Sequence, residues 1–176
     1  MDPSPGLSLA TLFADFGMIL FALILVLLNG FFVAAEFAMV KLRSTRVEAI
    51  ADQNGWRGHI LRTVHSQLDA YLSACQLGIT LASLGLGWVG EPAFAHILEP
   101  LLAAVGVDSP EVIKGVSFFT AFFIISYLHI VVGELAPKSW AIRKPELLSL
   151  WTAVPLYLFY WAMYPAIYLL NASANT

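Results

Sequence analysis

Oxygen-bearing groups interrupt three long apolar runs of this sequence, and their chemistry suits a cation. Asn29 and Glu36 lie seven residues apart in the first run, which is two helical turns, so a helix places them on one face. The second run carries a polar stripe at helical spacing, formed by Ser73, Gln76, Thr80 and Ser83, and Gly133 and Glu134 lie in the third run. Carboxylate, amide, hydroxyl and carbonyl oxygens bind hard cations such as Mg²⁺ or Ca²⁺. Because polar groups at membrane depth are costly unless paired or functional, we expect the ligands of a metal site among these residues.

The string GELAPK, residues 133–138, gives the most specific signal. Pro137 has no N–H and cannot donate to the carbonyl of Gly133, four residues earlier. We therefore expect a free carbonyl oxygen there, with the Glu134 carboxylate beside it, since broken helices with unpaired carbonyls bind cations inside membranes. Lys138 can be explained more simply, as a side chain that snorkels to the membrane surface.

Most of these residues also have a simpler structural interpretation. Glu36 lies five residues before Lys41 and could reach the membrane boundary as a solvated or ion-paired group. Ser83 could bond to its own helix backbone, and a kink at Pro137 could be purely structural. His129 fits a hydrogen-bonded packing residue better than a ligand, since one imidazole does not make a zinc site.

The composition indicates what kind of fold must position these groups. Of 176 residues, 59% are apolar and 12% are charged, and the mean hydropathy is +0.78. Soluble domains average about 45–50% apolar and about 25% charged residues, so a soluble fold is excluded. The net charge of −3 argues against a nucleic-acid partner. The single cysteine excludes an internal disulfide and a multi-thiolate metal site.

We predict an all-α membrane protein that forms a single transmembrane domain over residues 1–176. A helix needs about 20 residues to cross the hydrocarbon, and three apolar runs reach that length. The predicted transmembrane helices cover residues about 14–42, 68–90 and 112–138. Gly90, Glu91 and Pro92 are expected to end the second of them.

Two further segments are expected outside the spans. Residues about 146–171 contain four of the six tyrosines and two prolines, which favours a kinked interfacial segment, a juxtamembrane belt, over a fourth crossing. Between the first two spans, the Asn54-Gly55 turn signal lies inside residues 44–67, where apolar residues repeat at helical spacing. This predicts a short cytoplasmic helical pair.

The basic residues predict the orientation of the chain in the lipid bilayer. All nine except Lys114 lie on one side of the predicted spans, which the positive-inside rule assigns to the cytoplasm. The N-terminus is then outside and the C-terminus is cytoplasmic. No Lys or Arg precedes Lys41, so the first run lacks the basic flank of a cleavable signal peptide and is expected to be a permanent span.

Three ordered motifs resemble the transmembrane domain of the CorC/CNNM family of magnesium transporters. They are LNGFFVAAE at residues 28–36, YLSACQLGITLAS at residues 71–83 and VGELAPKS at residues 132–139. The resemblance covers residues from about 17 to 171. It implies a multi-pass plasma-membrane protein that transports Mg²⁺, exporting it with Na⁺ entry as the driving force, and that forms a homodimer. It also implies a cytoplasmic CBS-pair domain, expected after residue 176 and absent from this sequence.

The resemblance also assigns roles to single residues. Glu134 and the Gly133 carbonyl match the family's ion-binding Gly-Glu pair, and Glu36 matches its helix-one glutamate. Ser83 stands where animal members tend to have asparagine, and either side chain supplies a neutral oxygen. The resemblance therefore selects Ser83 from the polar stripe of the second run, and the expected metal site consists of Asn29, Glu36, Ser83, Gly133 and Glu134. Many relatives have serines just before the helix-one glutamate, where this chain has Val, Ala and Ala at 33–35. Asn29, or a backbone carbonyl of the same helix, would therefore have to replace the hydroxyl ligand.

Two other functional classes compete with a transporter as explanations of this sequence. A membrane anchor that does not transport, or a regulatory subunit for cytoplasmic sensor domains, would have the same topology and is the alternative. An intramembrane enzyme is not expected, because hydrolysis needs a nucleophile with a base partner and no Ser/His or paired-aspartate arrangement lies at one depth.

Overall fold

The computed structural model describes residues 9–107 and 109–174, and within these ranges the regular structure is helical. The helices are α1 Leu9–Lys41, α2 Ser44–Gln53, α3 Gly55–Ser66, α4 Leu68–Ala104, α5 Pro110–Leu128, a π-helix His129–Leu135, α6 Ala136–Arg143, α7 Pro145–Ala162 and α8 Tyr164–Ala174. Residues 1–8, which we expect outside the cell, lie outside the described ranges.

Three of the described helical segments are long and apolar enough to cross a membrane, which confirms the predicted fold class. They are Phe13–Lys41 in α1, Leu68–Ala104 in α4, and Pro110–Arg143, in which α5, the π-helix and α6 follow one another without a break. Each exceeds the length of about 20 residues that a crossing requires. The three spans contact one another, since α1 packs against α4 and against the segment that contains the π-helix, and α4 packs against α5.

The predicted end of the second span was wrong. α4 continues through Pro92 and Pro100 and ends only at Ala104. Its continuation beyond Pro92 is packed against other spans, because Ala93 is buried and Phe94 packs against the cluster that contains Ile125 of α5. Packing against a neighbouring helix therefore outweighs the local helix-breaking preference of proline.

The short helical pair predicted between the first two spans is present as α2 and α3, here called the hairpin. Its turn lies at Asn54-Gly55, where Gly55 has a φ of +53°, a conformation that favours glycine. Two contacts hold the hairpin to α7. Arg46 donates to both carboxylate oxygens of Glu146 at 2.7 and 2.9 Å, and the Arg57 guanidinium lies 5.3 Å from the centre of a Trp151 ring. The Arg46 pair holds the pKa of the Glu146 carboxyl below its usual value.

We call the end of the domain where α1 ends and α4 begins the hairpin end. The main buried cluster lies there and joins α1, the hairpin, α4 and α7. Its largest fully buried side chains are Met39, Leu61, Tyr71 and Leu156. The cluster includes Ala35 and Met39, which lie on either side of Glu36 along α1, so its packing helps to position the part of α1 that carries this candidate residue.

α7 and α8 form a bent pair, here called the belt, with an angle of 79° between the two helices. Pro155 lies inside α7 without ending it, whereas the break at Met163 falls two residues before Pro165, in the first turn of α8. Leu148 near the start of the belt packs with Ala38 near the end of α1. Asn171 near the end of the belt accepts a hydrogen bond from Ser73 in α4 at 2.8 Å. Both ends of the belt therefore contact the hairpin end, which agrees with an interfacial segment.

Candidate cation site between the three spans

α1 and the π-helix approach each other closely at Gly30. A Cβ on this residue would lie 3.0 Å from the Pro137 side chain and 3.2 Å from the Val132 carbonyl oxygen. Such distances are tighter than ordinary contacts, so a glycine at this position lets the two backbones meet. The approach brings Asn29, the preceding residue, next to Gly133.

Asn29 links all three spans through hydrogen bonds. Its Nδ2 donates to the Gly133 carbonyl oxygen at 2.9 Å, and its Oδ1 accepts from the Ser83 hydroxyl at 3.2 Å. The Ser83 oxygen lies 3.3 Å from Nε2 of His129, so the expectation that no Ser/His pair lies at one depth was wrong. Because the single hydroxyl proton of Ser83 is used on Asn29, His129 has to donate in this contact. Asn29 is only 2% exposed, so the network is internal.

The expectation of a free Gly133 oxygen was wrong. The Asn29 amide satisfies it, and the helix before Pro137 is widened rather than broken. In the π-helix the Ala136 N–H bonds to the Val131 oxygen, five residues earlier. This wider turn lets the chain pass the proline without a sharp kink. A carbonyl oxygen has two lone pairs, so the bond from Asn29 alone does not use the full acceptor capacity of the Gly133 oxygen.

A cavity of about 310 Å³ lies between the three spans. Its lining residues are Asn29, Val33, Glu36, Phe37, Ile79, Ser83, His129, Glu134 and Lys138. The structure thus brings together four of the five residues predicted from the sequence, and the fifth, Gly133, is bonded to one of them. That these residues bind a metal stays a prediction.

The cavity combines two acidic groups with one basic group. Glu36 is half-buried and interacts with the Gln76 amide and with the charge of Lys138. Glu134 also lines the cavity, but its side chain is exposed in the single chain. The Lys138 ammonium lies 4.4 Å from the centre of the Phe37 ring. Lys138 therefore reaches across to α1, which argues against the snorkelling interpretation.

The side chains of this site suit a hard, partly hydrated cation. Among the described residues, no group of three or more His, Cys, Asp or Glu side chains could hold a metal ion together. A cation here would use two carboxylates and neutral oxygens, and Mg²⁺ commonly keeps several waters in such sites. Two further lining residues had a signal in the sequence. Lys138 lies four positions after Glu134 and His129 lies four positions before Gly133, so a regular helix places each on the face of a candidate ligand. Neither was among the five predicted residues.

Comparison with known proteins decides the family. The model of the CNNM family, described as the Cyclin M transmembrane N-terminal domain, matches residues 20–176. The chain belongs to the CNNM family. This membership confirms the resemblance seen in the three motifs and agrees with a role related to membrane transport.

Several bacterial proteins are similar to this CNNM domain. The UPF0053 proteins YugS and YhdT of Bacillus subtilis are 47% and 49% identical over 152 residues, which is 86% of this chain and 35% and 33% of theirs. The uncharacterized protein Rv1841c of Mycobacterium tuberculosis is 38% identical over 142 residues, 81% of this chain and 39% of its own length. The chain thus spans about a third of the length of these curated relatives.

Proposed function

We propose that this domain transports Mg²⁺ across the plasma membrane, exporting it in exchange for entering Na⁺, and that it acts as a homodimer. The observation that carries the proposal is the shared cavity of Asn29, Glu36, Ser83 and Glu134, in which oxygens from three spans face one space. Carboxylates and neutral oxygens select hard cations over the softer metals that prefer thiolate or imidazole ligands. The direction and the coupling ion rest on the family resemblance.

The hairpin end is the cytoplasmic end in this proposal, as the basic residues indicate. Glu36 lies about 8 Å along α1 from Lys41, at the helical rise of about 1.5 Å per residue, so it is the first carboxylate that an entering cation meets. Glu134 and Ser83 lie deeper along the same cavity. Mg²⁺ releases water reluctantly, and several oxygens already held in place reduce the cost of removing part of its hydration shell.

Asn29 changes partners in the proposed binding step. In the structure its amide covers the Gly133 oxygen, while its own oxygen accepts from Ser83. An arriving cation replaces the amide at the Gly133 oxygen and draws Asn29 Oδ1 and Ser83 Oγ toward itself. When the ion leaves, the amide returns and no buried polar group is left without a partner.

Flux measurements on the purified chain in proteoliposomes test this proposal. Glu134→Gln should lower the initial Mg²⁺ flux at least tenfold and abolish detectable Mg²⁺ binding by calorimetry, because a neutral amide replaces one of two carboxylates. Glu111→Gln is the matched control, since Glu111 lies in the first turn of α5 and does not line the cavity. Its flux should stay within about twofold of the wild type. Wild-type Mg²⁺ affinity in the Glu134→Gln variant would refute the assignment.

The alternative, a membrane anchor or regulatory subunit that does not transport, is favoured by one specific observation. The side chain of Asn29 donates to the Gly133 oxygen and accepts from the Ser83 hydroxyl, so these polar groups are paired within the protein without an ion. A purely structural link between helices would show the same pairing. The two functions differ in one result. A wild-type chain that shows neither Mg²⁺ binding nor flux above protein-free liposomes, with Na⁺ gradients of either direction, would support the anchor.

A further inference from the structure

The candidate cation site already contains a positive charge of its own. We propose that Lys138 is a tethered counter-cation, which occupies the acidic cavity when no ion is bound, is displaced when Mg²⁺ binds, and returns as the ion leaves. The inference rests on the proposed function, and it assigns to Lys138 a positioning role that sets how tightly the ion is held.

The geometry places the ammonium group at the site. Lys138 belongs to the first turn of α6 and lines the same cavity as two carboxylates. One of them, Glu36, is on α1, and the other, Glu134, is on the same span as Lys138. Its Nζ lies 4.4 Å from the centre of the Phe37 ring, and Phe37 follows Glu36 on α1. A cation over an aromatic face is attracted by the ring, so Phe37 holds the ammonium beside the Glu36 carboxylate.

The attraction is loose enough to be reversed. Arg46 and Arg62 form direct ion pairs of 2.6–2.9 Å with carboxylates of the hairpin and α7. Lys138, in contrast, has no ion pair within 4.0 Å among the residues that the structure describes, although its charge acts on Glu36. The Lys138 ammonium is held only by the Phe37 ring and by long-range attraction to the Glu36 carboxylate. It can therefore move aside on its flexible four-carbon stem when a divalent cation arrives.

The tethered charge helps the ion to leave. Two carboxylates that face each other without a counter-charge would bind a divalent ion tightly and release it slowly. The Lys138 ammonium competes for the same carboxylates, lowers the affinity, and neutralises them after release. Because a divalent ion feels this repulsion twice as strongly as a monovalent ion at the same place, the effect is larger for Mg²⁺ than for Na⁺.

Lys138→Met tests the inference, because methionine keeps much of the stem and removes the charge. The variant should bind Mg²⁺ about three- to tenfold more tightly in calorimetry. Its maximal flux in proteoliposomes should fall by a similar factor, while the Mg²⁺ concentration for half-maximal flux falls too. A purely structural role would lower flux without tightening binding. Lys41→Met is the control, since the exposed Lys41 ends α1 and does not line the cavity.

A second measurement uses the wild-type chain and so does not depend on how the variant folds. Lysines are acylated with a water-soluble reagent, with and without saturating Mg²⁺, and the modified sites are quantified by mass spectrometry. Displacement predicts that acylation of Lys138 rises severalfold with Mg²⁺, whereas that of Lys41 is unchanged.

The outcomes separate this inference from the proposed function. If the wild type binds Mg²⁺ and Glu134→Gln does not, unchanged or weaker binding by Lys138→Met overturns the tethered counter-cation alone. Lys138 acylation that is insensitive to bound Mg²⁺ does the same. A wild type that binds no Mg²⁺ overturns both.

Discussion

At the scale of single residues, Asn29 determines how the three spans meet. Its amide has one donor on the Gly133 carbonyl and its oxygen accepts from Ser83, so one side chain joins α1 to two other spans. Without Asn29 the buried Gly133 carbonyl oxygen would lose this donor at membrane depth, which is costly. The residue is therefore structural in the ion-free state, whatever part it takes in binding.

Asn29→Ala should destabilise the domain by about 1–2 kcal/mol, because it removes two interhelical hydrogen bonds from a buried position. Thermal unfolding in detergent measures the change. Asn171→Ala is the matched control, since Asn171 makes a single, part-buried bond to Ser73 between the belt and α4. Asn171→Ala should lower the free energy of unfolding clearly less than Asn29→Ala does. Equal destabilisation by the two variants would contradict the linking role of Asn29.

The composition of the site was predictable from spacing, but its bonding was not. The seven-residue interval of Asn29 and Glu36 predicts a shared face, and both side chains do line the cavity. The state of the Gly133 oxygen depends on Asn29, which is 104 residues away in sequence. The sequence shows that Pro137 removes the N–H that a regular helix would direct at the Gly133 oxygen. That the Asn29 amide replaces it depends on how the helices pack.

At the scale of elements, the π-helix His129–Leu135 controls where the cavity side chains point. A π-turn holds one more residue than an α-turn, so it rotates the following segment relative to a regular helix. Glu134 lies inside the widened turn and Lys138 just beyond it. Pro137 favours this geometry because it cannot supply the N–H that a regular α-turn would direct at Gly133.

Pro137→Ala should lower Mg²⁺ flux by about tenfold or more without lowering the unfolding temperature. The new N–H can bond to the Gly133 oxygen and compete with Asn29, which lets the turn tighten to a regular α-helix and moves Glu134 and Lys138. Removal of an interior proline itself does not destabilise a helix. The two measurements are proteoliposome flux and thermal unfolding of the same preparation.

Pro155→Ala is the control for this change, because Pro155 also lies inside a helix, α7, and does not line the cavity. Its flux should match the wild type. Normal flux in Pro137→Ala would show that the widened turn has no part in transport.

Element boundaries were predicted well where local signals and packing agree. The hairpin turn at Asn54-Gly55 appears as expected, with a positive φ at the glycine. α4 passes Pro92, however, and Phe94 beyond it packs against the cluster that contains Ile125 of α5. The sequence shows the local break signal, while the compensating contact comes from a helix that begins only at Pro110.

At the scale of the whole molecule, the belt distinguishes three crossings from four. By length and composition alone, α7 and α8 together would pass as one bent span. Their contacts argue otherwise. Leu148 packs near the end of α1 and Asn171 bonds near the start of α4, so both ends of the belt lie at the hairpin end. A crossing segment would have its ends at opposite ends of the domain.

Cysteine labelling in intact cells tests this arrangement together with the proposed orientation. The only cysteine, Cys75, is buried and is first replaced by Cys75→Ala. Ala172→Cys then places a thiol at an exposed position near the end of α8, and Val105→Cys places one after α4, at the opposite end of the domain. A membrane-impermeant maleimide should modify Val105→Cys in intact cells, and Ala172→Cys only after permeabilisation.

Gln53→Cys, at the exposed turn of the hairpin, provides the reference for the cytoplasmic side. The belt predicts that Ala172→Cys and Gln53→Cys behave alike, because the chain returns to the side from which α7 starts. If the Ala172 position is instead labelled in intact cells while Gln53 is protected, the bent pair crosses the bilayer. The domain would then have four spans and place its C-terminus outside. Any domain that follows would lie outside as well, so it could not sense cytoplasmic ligands, and the site would need another partner for regulation.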